Sequence, residues 1–239
     1  MRPVALVTGA SRRLGRAFAE GAARAGYDVA VHFRSDPAAA ARAVATLAAT
    51  GVRAEAFPAD FREPGAPHGL VEAVLARFGR LDLLVHSASP WLEGAVEAVS
   101  EDDWDAVTSV GPRAAFFLSQ AAAPALAVSE GSILLVSDVA ATKAWPHHVP
   151  HASAKAAIDA LVRNLAVALA PSVRVNGIAP GIVLPPDDLP AGAVESLVAR
   201  TPLKRLVAVE DVVAAALFLA GNRSITGQIR AVDAGRSVV

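Results

Sequence analysis

Seven short β-branched runs punctuate this chain, and each is separated from the next by a longer Ala/Leu-rich stretch. The runs lie near Val4–Val7, Asp28–Phe33, Arg53–Phe57, Leu83–Val85, Ser132–Val136, Val173–Ile178 and Ile229–Val232. Strands joined by helices of that length pair in parallel through crossovers, because a tight turn can return the chain only antiparallel. The alternation therefore predicts an α/β fold, a mostly parallel sheet with helices on both faces. The runs are apolar at consecutive positions, as strands covered on both faces should be. Helices are expected near Leu14–Ala25, Pro37–Thr50, His68–Phe78, Glu101–Ser109, Arg113–Val128, Pro150–Ala170, Ala191–Arg200 and Glu210–Ala220. A chain of 239 residues suits one large α/β domain, and neither a linker nor an internal repeat divides it.

Several function classes lose support at once. Apolar residues make up 54% of the chain, enough for a sizeable core. The net charge is −1 with no basic block, so nucleic acid has no electrostatic footprint to meet. Cysteine is absent, which removes disulfides and thiolate chemistry and suits a cytoplasmic location. The opening Met1–Val7 is too short an apolar run for a signal peptide, and no uncharged run of about 18 apolar residues suggests a membrane span. Two helices, Arg113–Val128 and Ala152–Ala170, are apolar nearly all round. Such helices are buried on more than one side, either as deep core or at a subunit interface. The least regular stretch, Gly181–Pro190, carries Pro185, Pro186 and Pro190 and reads as a loop after a strand end, where function tends to sit.

The first strand runs into Thr8-Gly9-Ala10-Ser11-Arg12-Arg13-Leu14-Gly15. Gly9 permits a tight turn, Gly15 lets a helix pack close to the sheet, and the helix N-terminus offers free N–H groups to a pyrophosphate. The spacing alone is weak evidence; its place between a strand and a helix makes it strong. The second strand ends His32-Phe33-Arg34-Ser35. An NAD site wants an acid there for the ribose 2′-hydroxyl, whereas a cation and a hydroxyl suit a 2′-phosphate. The expected cofactor is therefore NADPH, unless Arg34 is only a solvated surface charge.

Taken together, these motifs resemble the short-chain dehydrogenase/reductases. Thr8–Gly15 is similar to their Thr-Gly-x-x-x-Gly-x-Gly turn, with Arg13 at the middle Gly, a variant that looks like the pteridine reductase branch. Leu84–Ser89 stands where the family has Asn-Asn-Ala-Gly. Val175–Gly181 resembles its motif after the sixth strand, and Ile225–Gln228 with Val232–Gly235 resembles its C-terminal region. The resemblance spans the chain and implies a doubly wound Rossmann fold with strand order 3-2-1-4-5-6-7. It implies a single NADP-binding domain over residues 1–239, with cofactor contacts from Gly9, Ser11, Arg13, Leu14, Arg34, Ser35, Asp60, Ser87, Ala88, Lys155, Pro180, Gly181 and Val183.

In that family a Tyr donates the proton, a Lys four residues later lowers its pKa and holds the nicotinamide ribose, a Ser orients the substrate, and an Asn supports a water relay. The matching positions here are His151, Lys155, Asp138 and Gly111. An Asp in the Ser place resembles the pteridine reductases, and a carboxyl group can relay a proton to a ring nitrogen or accept from an N–H. Trp91 sits where those enzymes carry the ring that sandwiches a pterin, and it groups with Ser89 as a substrate-side residue; the plainer alternative is half-buried packing.

His151 admits three readings. A histidine has a reference pKa of about 6.5 against about 10 for tyrosine, so as an imidazolium it donates readily. The charge of Lys155, one helical turn away, disfavours that form, and Asp138 can offset it. Alternatively the site keeps cofactor binding and has lost turnover. A metal on His147, His148, His151 and Asp138 is the third reading, set aside because the neighbouring His147 and His148 side chains diverge. Gly111-Pro112 brings neither a relay side chain nor a backbone donor at position 112. The sequence thus points to an NADPH-dependent reductase of a pteridine-like or other flat heteroaromatic small molecule, working as a homo-oligomer, a tetramer on the family's pattern. A silent NADP-binding pseudoenzyme and a generic carbonyl or 3-oxoacyl reductase remain as alternatives.

Overall fold

A computed structural model describes residues 1–185 and 189–239. Pro186, Asp187 and Asp188, in the expected loop after the sixth strand, lie outside the described residues. The elements run β1 (Val4–Val7), α1 (Arg13–Arg24), β2 (Asp28–Phe33), α2 (Pro37–Ala48), β3 (Ala54–Pro58), α3 (Ala66–Phe78), β4 (Leu83–His86), α4 (Glu101–Thr108), α5 (Ala114–Val128), β5 (Ser132–Val136), α6 (Val149–Ala168), β6 (Arg174–Pro180), α7 (Ala193–Val198), α8 (Val209–Gly221) and β7 (Ile229–Val232). The strands form one sheet in the order β3-β2-β1-β4-β5-β6-β7, with every pairing parallel. This is the expected single-domain Rossmann-like fold.

Successive strand residues point to opposite faces, so each short run feeds two cores. Leu6, Leu84, Ile133 and Leu135 face one side with α3, α5 and α6; Ala5, Val7, Leu83 and Leu134 face the other with α1 and α8. Gly21 in α1 makes room for α8, since a Cβ there would lie 2.3 Å from a Val213 methyl.

The gap expected between two helices at Gly111-Pro112 is a kink between α4 and α5, where Gly111 takes the non-helical φ −81°, ψ −108°. Pro112 lacks an N–H and so cannot continue the hydrogen-bond ladder across the kink. β6 continues two residues past Ile178 because Ala179 and Pro180 still pair with Ala231 and Val232. The apolar helices α5 and α6 are not wholly buried in their own fold: Val128 is 90% exposed and Val167 80% exposed, and Phe116 also reaches the surface. No helix among the described residues is long and apolar enough to cross a membrane.

Candidate active site

The sheet order reverses between β1 and β4, and the loops leaving the C-terminal strand ends there enclose the crevice where such folds bind ligands. The Gly9 turn lies in this crevice. Gly9 has φ +64°, and a Cβ on it would meet Ala88 Cα at 3.1 Å. A Cβ on Gly15 would lie 2.3 Å from the Gly9 carbonyl oxygen, so only glycine lets α1 start this close to the strand. Arg12, at the N-cap, makes no side-chain bond, and the first turn of α1 holds no acid. The amides of that turn are thus left to an external anion, as a pyrophosphate requires. Arg13 adopts φ +51° and donates to the Leu184 carbonyl, which ties the turn to the loop after β6.

Two buried histidines hold this turn. The Gly9 N–H donates to His32 Nδ1 (3.1 Å), and His32 Nε2 lies 3.0 Å from the Ala59 carbonyl. A ring that accepts at Nδ1 and donates at Nε2 is the neutral tautomer. Burial agrees, pushing the His32 pKa down to about 4. Thr8 Oγ1 accepts from the Ser87 and Ala88 amides, which leaves its proton for His86 Nδ1 at 3.0 Å. His86 Nε2 then donates to the Val110 carbonyl at 3.1 Å, just before the kink at Gly111. Burial, reinforced by the Lys155 charge, brings the His86 pKa down to about 3. Phe61 stacks on His32 with a centroid separation of 4.4 Å and lies 6.0 Å from His86.

Arg34 and Ser35 follow β2 and are exposed. Asp60, after β3, forms a forked ion pair with Arg62, which holds its pKa down at about 2, with Arg34 adding to the effect. Ser87 and Ala88 follow β4, and Pro180 and Gly181 close β6, where a Cβ on Gly181 would lie 2.7 Å from Asp233 Cα. Ser11, Leu14 and Val183 line the same end of the sheet, half-buried. The expected cofactor residues thus converge on one crevice, although they come from widely separated parts of the chain.

Asp138, His151 and Lys155 also meet. Asp138 caps the short 3-10 turn after β5, with its Oδ1 accepting from the Ala140 amide at 2.8 Å. That anchors the carboxylate and leaves Oδ2 facing His151 Nε2 at 3.6 Å. His151 is 3% exposed, and neither ring nitrogen has a hydrogen-bond partner. Lys155 is buried one turn further along α6; its Nζ donates to the Val136 carbonyl at 2.8 Å, and burial lowers its pKa against the raising effect of Asp138 and Asp159. An ammonium has two more protons to offer. Burial raises the Asp159 pKa, while its hydrogen bond from Ser137 opposes the rise.

Trp91 covers this group. Its ring centroid lies 4.8 Å from both His151 and His148, and 6.2 Å from Trp145, while the Trp91 side chain remains 54% exposed. The ring therefore roofs the imidazole, and Ser89 lies exposed two residues before it. Gly111 adds no side chain; a Cβ there would be 3.7 Å from Ala154 Cβ. No group of three His, Asp or Glu among the described residues is arranged to hold a metal.

Sequence reasoning missed His32, His86, Arg62 and Glu93, and it weighed His148 only as a metal ligand. Polar residues ending apolar strands were a signal for the first two. Arg62 two residues after Asp60 was a signal for the third.

Comparison with known proteins gives a consistent picture. A family model described as Enoyl-(Acyl carrier protein) reductase matches residues 9–237. An uncharacterised oxidoreductase of Methylorubrum extorquens is 35% identical over 95% of this chain and 94% of its own. An L-rhamnose 1-dehydrogenase (NAD(P)(+)) of a Sphingomonas species is 34% identical over 98% of this chain and 95% of its own. Among solved structures, FolM alternative dihydrofolate reductase 1 of Brucella canis, complexed with NADP, superposes with a TM-score of 0.93 at 31% identity, covering 99% of this chain and 94% of the other. A blue fluorescent protein from a metagenomic library, in complex with NADPH, gives 0.91 at 31% identity, covering 98% and 97%.

Proposed function

Because this chain belongs to the short-chain dehydrogenase/reductase family, we propose that it is an NADPH-dependent reductase of a pteridine-like or other flat heteroaromatic substrate. All 239 residues act as one NADP-binding unit in this reading. The observation that carries it is His151, buried beneath Trp91, facing Asp138 and close to the buried Lys155. The NADP and NADPH complexes of structural relatives support the cofactor assignment, and the dihydrofolate reductase among them supports the substrate class.

NADPH, when bound, supplies a hydride to the electron-poor carbon of the substrate. The chain does the rest. The Gly9 turn and α1 N-terminus bind the pyrophosphate, and Arg34 with Ser35 takes the 2′-phosphate. Lys155 holds the nicotinamide ribose. His151, as an imidazolium steadied by Asp138, gives the proton to the neighbouring ring nitrogen or oxygen. Trp91 offers an aromatic face to a flat ring and keeps water from the reacting atoms.

A second reading, cofactor binding without turnover, draws on the two unpartnered nitrogens of His151 and on the empty position at Gly111. NADPH oxidation with dihydropterin, dihydrofolate and a 3-oxoacyl thioester separates the possibilities. Turnover of the first two alone supports the proposal. Turnover of the thioester alone makes the protein a generic carbonyl reductase. NADPH binding with no turnover of any of them selects the silent reading.

A further inference from the structure

A buried acid that discharges once per turnover must be recharged, and His151 is shut away from bulk water. Trp91 covers its ring, and the side chain is 3% exposed. Three residues earlier, also packed against Trp91, stands a second imidazole with a second carboxylate. His148 Nε2 lies 3.6 Å from Glu93 Oε2, and the His148 ring centroid is 4.8 Å from Trp91, the same distance as His151. Glu93 is 66% exposed and His148 only 16%, so this pair spans from solvent to the interior. A backbone bond from the Gly94 amide to the His147 carbonyl (2.8 Å) pins the Glu93 segment against this stretch.

The position of His148 is telling. It is the N-cap of α6, yet its side chain makes no capping bond and turns towards Trp91 and Glu93. Its Nε2 is buried without a hydrogen-bond partner, as are both nitrogens of His151. Three unpartnered imidazole nitrogens within one helical turn are costly unless they exchange protons or hold water. Both rings pack against Trp91, and the His151 charge acts on His148. Burial holds the His148 pKa below its ordinary value, against the raising effect of Glu93.

We propose that His148, paired with Glu93, forms the proton-entry relay that recharges His151, a role that rests on the reductase reading. Hydride leaves NADPH for the substrate carbon, and the His151 N–H bond breaks as its proton goes to the substrate. Neutral His151 then takes a proton from the His148 imidazolium through an intervening water, and His148 takes one from solvent beside Glu93. Each turnover consumes one hydride and one solvent proton. The groups facing His148 are Glu93 from the loop after β4, His147 beside it, His151 on α6 and Asp138 from the turn after β5.

The test uses the NADPH-bound full chain. In His148→Gln, steady-state kcat should fall at least about tenfold, because a proton-transfer step is lost. The single-turnover hydride-transfer rate and kcat/KM should stay near wild type, so that KM falls along with kcat, and imidazole buffer should restore kcat in proportion to its concentration. Glu93→Gln should move the falling limb of the pH profile to lower pH, since the carboxylate favours the charged ring. Unchanged kcat in His148→Gln, a loss that imidazole does not relieve, or an equal loss in the single turnover would overturn the relay. A second measurement is independent of turnover: ¹⁵N titration of the two rings in the NADPH complex. Replacing His151 with Ala should shift the His148 titration, and vice versa. Independent titrations overturn the relay, whereas a wild type that consumes no NADPH while the rings titrate together overturns only the reductase reading.

Discussion

Lowering the pH should destabilise this protein well before its carboxylates protonate, because His32 and His86 are bonded as neutral rings. Their folded pKa values lie near 4 and 3, below the ordinary 6.5. The unfolded chain therefore binds two more protons than the folded one between pH 6.5 and about 4. A depressed histidine contributes stability that is complete above pH 6.5 and is lost as pH falls towards the folded value. Each group costs about 1.4 kcal/mol per pH unit in that window, so the pair should remove about 4 kcal/mol between pH 8 and pH 5. That is a large share of the 5–15 kcal/mol typical of a domain. The discriminating variant is His86→Asn. Its side-chain oxygen can still accept from Thr8 Oγ1, but the bond to the Val110 carbonyl is lost. It should be less stable by about 1 kcal/mol at pH 8, yet lose about 2 kcal/mol less than wild type on going to pH 5. Urea unfolding followed by tryptophan fluorescence at a series of pH values measures both numbers. His148, whose pKa burial also lowers, is common to both proteins and cancels in the comparison. Parallel stability–pH curves for wild type and His86→Asn would show that neutral His86 is not the source of the acid sensitivity.

Three further outcomes follow from the site. His151→Ala should lower turnover by about 10²–10⁴, whereas His151→Tyr should preserve or raise it and extend activity to higher pH; equal rates in all three proteins would remove His151 from the proton-transfer step. Arg34→Ala should weaken NADPH about 10–100-fold and leave NADH nearly unchanged, as fluorescence titration would show, while equal losses for both cofactors would put Arg34 away from the 2′-phosphate. The exposed Phe116, Val128 and Val167 should lie in a homo-oligomer interface, with a tetramer expected by light scattering; a stable monomer at micromolar concentration would leave them as bare apolar surface.

The fold was legible because its signals are local. Val4–Val7, Gly9 and Gly15 sit within a dozen residues, and each has one physical use: a buried strand, a left-handed turn, a close helix start. The parallel sheet then brought the expected cofactor residues to one end of the strands. The histidines were harder to read. His32 and His86 look like isolated core residues, and only their partners at Gly9, Ala59, Thr8 and Val110 reveal a brace around the Gly9 turn. Glu93 reads as a surface acid until the fold sets it against His148. Gly111-Pro112 reads as a helix break, and the chain does kink there, with Gly111 off helical φ/ψ.

The central place of β1 also shapes how the chain is made. β1 leaves the ribosome before the other six strands of its sheet, and it pairs with β2 on one edge and β4 on the other. The β3-β2-β1 half can assemble while synthesis continues, but the second edge of β1, a Val-Ala-Leu-Val run, stays open until Leu83–His86 emerges. An open apolar edge invites pairing with other chains. The vulnerable window should therefore close when β4 docks, and nascent chains stalled before Leu83 should aggregate or hold chaperones more than chains stalled after α5. The opposite ranking would mean that β1 waits for the whole sheet before it pairs at all.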